Sequence, residues 1–167
     1  MQIKVPLDAG YINGKYAKQA TKTIQGKPCV SFPIEISEVP TSAKSLAFML
    51  LDFDSIPVCG LPWIHWVAAN VNPMTNLIPE NASQSGLVKM TRGKNTLAGP
   101  VFGPLDPKIS EHYTGPFPPD QPHDYTLTMF ALDKKLPLKN GFWLNQMLHA
   151  MKGHVLDKAK FIVPAKN

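Results

Sequence analysis

The chain is poor in arginine and in charge, and it has no long apolar run. Arg92 is the only arginine, and charged residues make up 17% of the sequence. Arginine supplies the bidentate fork that reads base edges and holds phosphates tightly. Sequence-specific nucleic-acid binding is therefore not expected, although the net charge is +5. No apolar stretch approaches the ~20 residues that a membrane span requires, so no membrane span is predicted.

Cysteine is also scarce, with Cys29 and Cys59 the only two. Their spacing does not indicate whether they pair. The first residues show no basic region followed by an apolar one, as a secretory signal would. The expectation is therefore a cytoplasmic protein with two reduced thiols.

What the sequence has in plenty is apolar residues and proline. The apolar fraction is 44%, and no internal repeat or long linker divides the chain. Its 167 residues therefore predict a single domain, 1–167, with one substantial core. The 17 prolines are about twice the usual share. Because proline ends strands and shapes loops, this composition favours a mostly β fold.

Hydrophobic patterning supports that fold class. Short apolar runs predict three buried strands, at 45–51, 63–69 and 125–132. Residues 31–37 alternate less regularly, and Pro33 indicates an edge strand or the start of a strand. Residues 155–163 are typical of a final strand.

One helix is predicted late in the chain, from about 140 to 152, closed by Gly153. Five apolar residues would share one face of this helix: Phe142, Trp143, Met147, Leu148 and Met151. Between 71 and 113 the pattern gives way to Asn, Pro, Gly, Ser and Thr, and so long an irregular stretch is usually functional.

Ionisable side chains lie in or beside the predicted buried strands. Asp52 and Asp54 follow the first strand, and His65 lies in the second, where alternation puts it on one face with Trp63 and Val67. His123 and Tyr125 similarly share a face where the third strand begins. If these strand ends are neighbours, a carboxylate, two imidazoles and a phenol converge on one cleft.

Such a cleft offers hydrogen-bond donors to an anion. The imidazole and phenol groups can donate, and so can backbone N–H groups of the loop that begins at Gly115-Pro116-Phe117. Asp52 would hold one imidazole in its donor form. Each feature alone has a simpler explanation as a turn, a core histidine or a rigid loop. The prediction of a binding site depends on their combination.

At these residues the chain resembles the phosphatidylethanolamine-binding protein family, and within it the bacterial and archaeal Raf-kinase-inhibitor-like proteins. The resemblance lies in four motifs: Asp52-Phe53-Asp54-Ser55-Ile56-Pro57, Trp63-Ile64-His65, Gly115-Pro116-Phe117-Pro118-Pro119 and His123-Asp124-Tyr125. It covers nearly the whole chain, with the motifs in the family's order and spacing.

The resemblance implies a Greek-key β-sandwich with a C-terminal helix and short peripheral helices. It also implies a pocket for phosphate or phosphoethanolamine-like head groups. The implied ligand-binding residues are Asp52, His65, Gly115, Pro116, His123 and Tyr125, with support from Asp54, Pro57, Trp63 and Phe117. The chain departs from the family at Phe53 and Asp124. A carboxylate at Asp124 is expected to weaken phosphate binding, an effect reduced by strand alternation, which points Asp124 away from His123 and Tyr125.

The predicted function is therefore a small-anion-binding protein, not an enzyme, with no cofactor and with a possible protein partner. One alternative is a kinase or protease inhibitor that acts through residues 71–113. Another is a metal-dependent hydrolase, since Asp52, His65 and His123 formally resemble a two-histidine, one-carboxylate set. No metal is expected from the resemblance, which also makes a homodimer plausible. A cis peptide bond at Ile56-Pro57 is a further expectation.

Overall fold

The computed structural model describes all 167 residues and is built mainly from strands. The ten strands, numbered along the chain, are β1 (Gln2–Lys4), β2 (Thr23–Ile24), β3 (Lys27–Pro28), β4 (Ile34–Ser37), β5 (Ser45–Asp52), β6 (Trp63–Val71), β7 (Leu77–Ile78), β8 (Thr91–Arg92), β9 (His123–Leu132) and β10 (Val155–Ala165).

The helices are all short. The four α-helices are α1 (Ile56–Cys59), α2 (Ala82–Ser85), α3 (Pro107–Ser110) and α4 (Leu144–Ala150). Three 3-10 helices lie at Gly14–Tyr16, Thr96–Ala98 and Pro100–Phe102. None of the helices has both the length and the apolar character needed to cross a membrane.

The strands form a five-stranded antiparallel sheet, a three-stranded sheet and a small hairpin. In the large sheet the order is β10-β9-β5-β6-β8, and in the second it is β1-β4-β7. The main core contains 26 buried residues, including Ile34 of the smaller sheet and Phe48 and Leu50 of the larger one. A second core of nine residues covers the other face of the large sheet beneath α4. The predicted mostly β sandwich with few, short helices is confirmed.

The three buried strands predicted from apolar runs are β5, β6 and β9. Strand β4 begins directly after Pro33, which confirms the interpretation of this proline as the start of a strand. The edge-strand interpretation is wrong, because β4 pairs with β1 on one side and β7 on the other. Residues 71–113 contain only short strands and helices joined by turns.

The predicted helix at 140–152 is shorter in the structure, because its first residues are used elsewhere. The side-chain oxygen of Asn140 accepts a hydrogen bond from the Arg92 N–H, and Phe142 forms a bridge with Gly93. Helix α4 therefore begins only at Leu144. Of the predicted apolar face, Phe142, Met147 and Met151 are buried, whereas Trp143 and Leu148 are exposed.

Two further expectations concern covalent geometry. Every peptide bond is trans, so the expected cis bond at Ile56-Pro57 is wrong. Pro57 instead lies in the first turn of α1, where its fixed φ suits the helix and its missing N–H costs no hydrogen bond. Cys29 is buried, Cys59 is exposed, and both are free thiols.

Candidate ligand-binding site

The register of the large sheet brings three strand ends together. Asp52, the last residue of β5, lies opposite Trp63 at the start of β6 and opposite Tyr125 near the start of β9. Because β5 runs antiparallel to both neighbours, its last residues lie beside the first residues of β6 and β9, at one end of the three strands. The sequence-predicted convergence of these residues is therefore present.

A β-bulge at His65 in β6 puts Trp66 on the same side of the sheet as Trp63 and His65. Leu50 pairs with Trp66 and Leu51 with Ile64, so His65 is the extra residue between them. Beyond the bulge the alternation is shifted by one, and Val67 packs in the second core beneath α4. The prediction that Val67 shares a face with His65 is wrong for this reason.

These residues line a cavity of about 230 Å³. Seven of the ten predicted site residues contribute to its wall: Asp52, Trp63, His65, Gly115, Phe117, His123 and Tyr125. The other wall residues are Lys27, Pro28, Ser55, Val58, Cys59, Leu97, Thr114 and Pro119. The cavity thus has an ionisable base and a largely apolar mouth, as small-ligand sites commonly do.

Three predicted site residues lie outside the cavity wall. Pro116 is buried behind it, and Pro57 is exposed on α1, although the next residues, Val58 and Cys59, line the cavity. Asp54 is exposed, and its Oδ2 accepts a hydrogen bond of 2.8 Å from the backbone N–H of Asp124. Asp54 thus joins the ends of β5 and β9 and does not face a ligand.

Asp52 is buried at the base of the cavity, with both carboxylate oxygens hydrogen-bonded. Its Oδ2 lies 2.8 Å from Nδ1 of His123, and its Oδ1 accepts a hydrogen bond of 3.0 Å from the Ser55 N–H. The Ser55 hydroxyl also accepts a hydrogen bond from the Trp63 N–H, which ties the turn after β5 to the start of β6. The carboxylate is therefore held in one orientation toward the imidazole.

His123 lies between two carboxylates. Its Nδ1 faces Asp52, and its Nε2 lies 2.9 Å from Oδ1 of Asp120. Because a carboxylate accepts hydrogen bonds, this arrangement favours a proton on each ring nitrogen. Burial acts to lower the pKa of His123, but the hydrogen bonds and negative charges of Asp52 and Asp120 outweigh it and raise the pKa. His123 is thus held toward its imidazolium form.

His65 has the opposite environment. Its Nδ1 lies 2.8 Å from the carbonyl oxygen of Thr114, which can only accept, so Nδ1 carries the proton. Burial lowers the pKa of His65 to about 4. Near neutral pH the ring is therefore uncharged, and Nε2 carries a lone pair.

Tyr125 packs against both imidazoles. Its ring centroid lies 4.9 Å from that of His65 and 6.3 Å from that of His123. Burial, together with the negative charge of Asp52, raises the pKa of the Tyr125 phenol. The hydroxyl consequently stays protonated and can donate a hydrogen bond in the cavity.

Gly115 contributes to the wall through its lack of a side chain. A Cβ atom at this position would lie 2.3 Å from the carbonyl oxygen of Tyr16 and 2.7 Å from Cβ of Pro28. The Gly115 N–H donates to the Pro28 carbonyl at 2.9 Å, and Pro116 has no N–H. Of the loop whose backbone N–H groups were predicted to donate to an anion, these two residues therefore offer no free donor.

Several residues of the site were not predicted. Asp120 had a usable signal, since it follows the Gly-Pro loop and precedes His123 by three residues. Ser55 had one also, because it lies inside the Asp52–Pro57 motif. Thr114 and Leu97 carried none, as they reach the cavity through long-range packing. No group of three or more His, Cys, Asp or Glu side chains is arranged to hold a metal ion.

Fold and site together define a β-sandwich protein with a small ionisable cavity where its central strands end. The family model for phosphatidylethanolamine-binding proteins matches residues 2–165. The chain belongs to the phosphatidylethanolamine-binding protein family.

Relatives with curated sequences are similar over most of their length. The uncharacterized protein YxkA of Bacillus subtilis is 46% identical over 158 residues, which cover 93% of this chain and 94% of that protein. A UPF0098 protein of Chlamydia muridarum is 35% identical over 136 residues, covering 80% of each chain.

Solved structures have the same fold. A phosphatidylethanolamine-binding protein homolog from Chlamydia trachomatis superimposes with a TM-score of 0.79 at 29% identity, covering 99% of this chain and 97% of that one. YbcL of E. coli, described as a new member of the mammalian family, gives a TM-score of 0.78 at 18% identity, covering 99% and 98%.

Proposed function

We propose that the cavity binds a small phosphate-type anion, either inorganic phosphate or the phosphate of a phosphoethanolamine-like head group. The observation that carries the proposal is the His123 ring, whose pKa is raised and which Asp52 holds in the wall beside the Tyr125 hydroxyl. An imidazole and a phenol, both fixed at the base of a mostly apolar cavity, can donate hydrogen bonds to an anion that is partly removed from water.

His65 supplies a second, conditional interaction. Its neutral ring offers a lone pair at Nε2, which can accept a hydrogen bond from a protonated phosphate oxygen. An anion beside the ring also favours the charged form, so anion binding and protonation of His65 strengthen each other. Phosphate binding should therefore take up protons and become tighter below neutral pH.

The test is an NMR titration of the histidine side chains. Inorganic phosphate, phosphoethanolamine and ethanolamine are added separately, while the ring resonances of His65 and His123 are followed. We expect saturable shifts with both phosphate compounds and none with ethanolamine. The His65→Ala variant should bind phosphate more weakly, whereas His149→Ala, which removes an exposed histidine on α4, should bind like the wild type.

A result in which neither phosphate compound moves these resonances would reject the proposal. Metal analysis of the same sample tests the hydrolase alternative, since stoichiometric zinc or iron without an anion response would favour a metal site. The proposed role is binding and not catalysis, so the phosphoethanolamine should be recovered unchanged after prolonged incubation.

A second candidate function is regulation of a protein partner through residues 71–113. This segment carries the large apolar side chains Met74, Leu87 and Val101, each at least 75% exposed. Exposed apolar side chains in an irregular surface segment favour a contact with another protein. A triple serine variant should leave phosphate binding unchanged and abolish partner capture. Sedimentation of the wild type and the variant tests whether that partner is a second copy of the chain.

We further propose that the protein acts in the cytoplasm. The free thiols of Cys29 and Cys59 support a reducing compartment, because secreted proteins more often use their cysteines in disulfides. Cell fractionation tests this, and recovery of the protein in an exported fraction would contradict it.

A further inference from the structure

Asp120 makes the contact with His123 that an incoming anion needs. The Oδ1 atom of Asp120 lies 2.9 Å from Nε2 of His123, and Asp52 already occupies Nδ1. Both N–H donors of the ring are therefore used by carboxylates of the protein itself. An anion can hydrogen-bond to this imidazolium only by taking the place of one of them.

The two carboxylates differ in how readily they can be displaced. Asp52 is buried and also accepts a hydrogen bond from the Ser55 backbone. The Asp120 side chain is half exposed and stands at the outer side of His123. Removing Asp52 from the imidazolium would leave a buried charge without a partner, whereas Asp120 can turn into water. Asp120 is therefore the carboxylate that an anion would displace from His123.

The backbone on both sides of Asp120 is restrained. Pro119 precedes Asp120, and Pro122 follows two residues later, which restricts the backbone on both sides. The carbonyl oxygen of Asp120 accepts a hydrogen bond of 3.2 Å from the side chain of Asn167, close to the end of β10. The backbone at Asp120 is thus restrained, which keeps its carboxylate within reach of His123.

We propose that Asp120 is an internal competitor that lowers the affinity of the cavity for anions by occupying the outer N–H of His123. The inference rests on the proposed function, since it concerns the same site. When only the open fraction of a site accepts ligand, the apparent dissociation constant is the intrinsic one divided by that fraction. A half-exposed ion pair of ordinary strength then weakens phosphate binding by about fivefold.

The chain offers a matched control in Asp124. It carries the same charge four residues away, but its side chain is exposed and lies on the opposite face of β9 from His123. Asp120→Ala and Asp124→Ala therefore remove one negative charge each, and only the first removes a contact with the imidazole. Asp120→Asn keeps an acceptor oxygen without the charge and should fall between the wild type and Asp120→Ala.

The experiment measures the affinity of inorganic phosphate for the wild type and these three variants by calorimetry at one pH and ionic strength. We expect Asp120→Ala to bind about fivefold more tightly, with a change below about twofold for Asp124→Ala. Without phosphate, NMR titration of His123 should show a lower pKa in Asp120→Ala, and an unchanged one in Asp124→Ala.

The outcomes separate the two proposals. If the wild type and Asp120→Ala bind phosphate equally tightly, the proposal that Asp120 competes with anions is rejected, and the proposal of an anion site is retained. Equal tightening in the Asp120 and Asp124 variants would also reject it, because the effect would then be one of overall charge. If neither the wild type nor Asp120→Ala shows saturable binding, the anion site itself is rejected, and the competitor with it.

Discussion

The stability of this protein should depend on pH through His65. The ring is buried and its pKa is lowered to about 4, whereas a histidine in the unfolded chain has a pKa of about 6.5. Between these values the unfolded chain binds a proton that the folded protein does not. The contribution of His65 to stability is therefore fully present above about pH 6.5, and it is lost as the pH falls toward 4.

The size of the effect follows from the two pKa values. At pH 5 the unfolded histidine is almost fully protonated and the folded one is mostly neutral, which corresponds to about 2 kcal/mol in favour of unfolding. At pH 7 the same difference is only a few tenths of a kcal/mol. Because the side chain is almost completely buried, solvent screening does not reduce this figure much. The loss between pH 7 and pH 5 is therefore about 2 kcal/mol.

The assay compares urea unfolding of the wild type and His65→Gln at pH 7 and at pH 5. The glutamine amide can still donate to the Thr114 carbonyl, but it does not titrate. Other titrating groups, including His123, are present in both proteins and largely cancel in the difference. We expect the free-energy difference between the two proteins to move by about 2 kcal/mol in favour of the variant at pH 5. Parallel pH profiles would show that His65 is not held neutral by burial.

Two further substitutions test the packing of the site. Asp52→Asn removes the inner partner of the His123 imidazolium and should cost roughly 2–4 kcal/mol in urea unfolding at pH 7, with a lowered pKa of His123; an unchanged His123 titration would refute the assigned ion pair. Gly115→Ala forces a methyl group against the Tyr16 carbonyl oxygen and Pro28 and should cost about 1–3 kcal/mol; thermal unfolding within half a degree of the wild type would contradict that close approach.

The large features of the fold could be predicted from the sequence because they depend on local patterns. Three apolar runs correspond to β5, β6 and β9, and their antiparallel pairing brings Asp52, His65 and Tyr125 together at one end of these strands. A short run of apolar residues is buried whatever its neighbours are. Whether it forms a strand therefore depends little on distant parts of the chain. The positions of the polar residues at the ends of these runs then follow from the positions of the strands.

The details that shape the cavity depend on contacts between distant parts of the chain. The bulge at His65 adds a single residue to β6, and strict alternation cannot reveal such an insertion. Gly115 is required by the backbone of Tyr16, which is far away in sequence. The Asp120 contact depends on the path of a proline-rich loop, and no periodic pattern reports that path. The sequence therefore predicts which residues converge, but not the contacts that occupy the Gly115 N–H and the His123 ring.

The cavity combines two histidines whose pKa values are shifted in opposite directions, and this combination limits what can bind. His65 is neutral near neutral pH because burial lowers its pKa, whereas the carboxylates that flank both nitrogens of His123 raise the pKa of that ring. An anion therefore gains full access to donors only if His65 takes up a proton or Asp120 withdraws. Both changes are favoured by the anion's own negative charge. A neutral ligand of the same shape would leave both histidines as they are, and the site should discriminate against it on that ground.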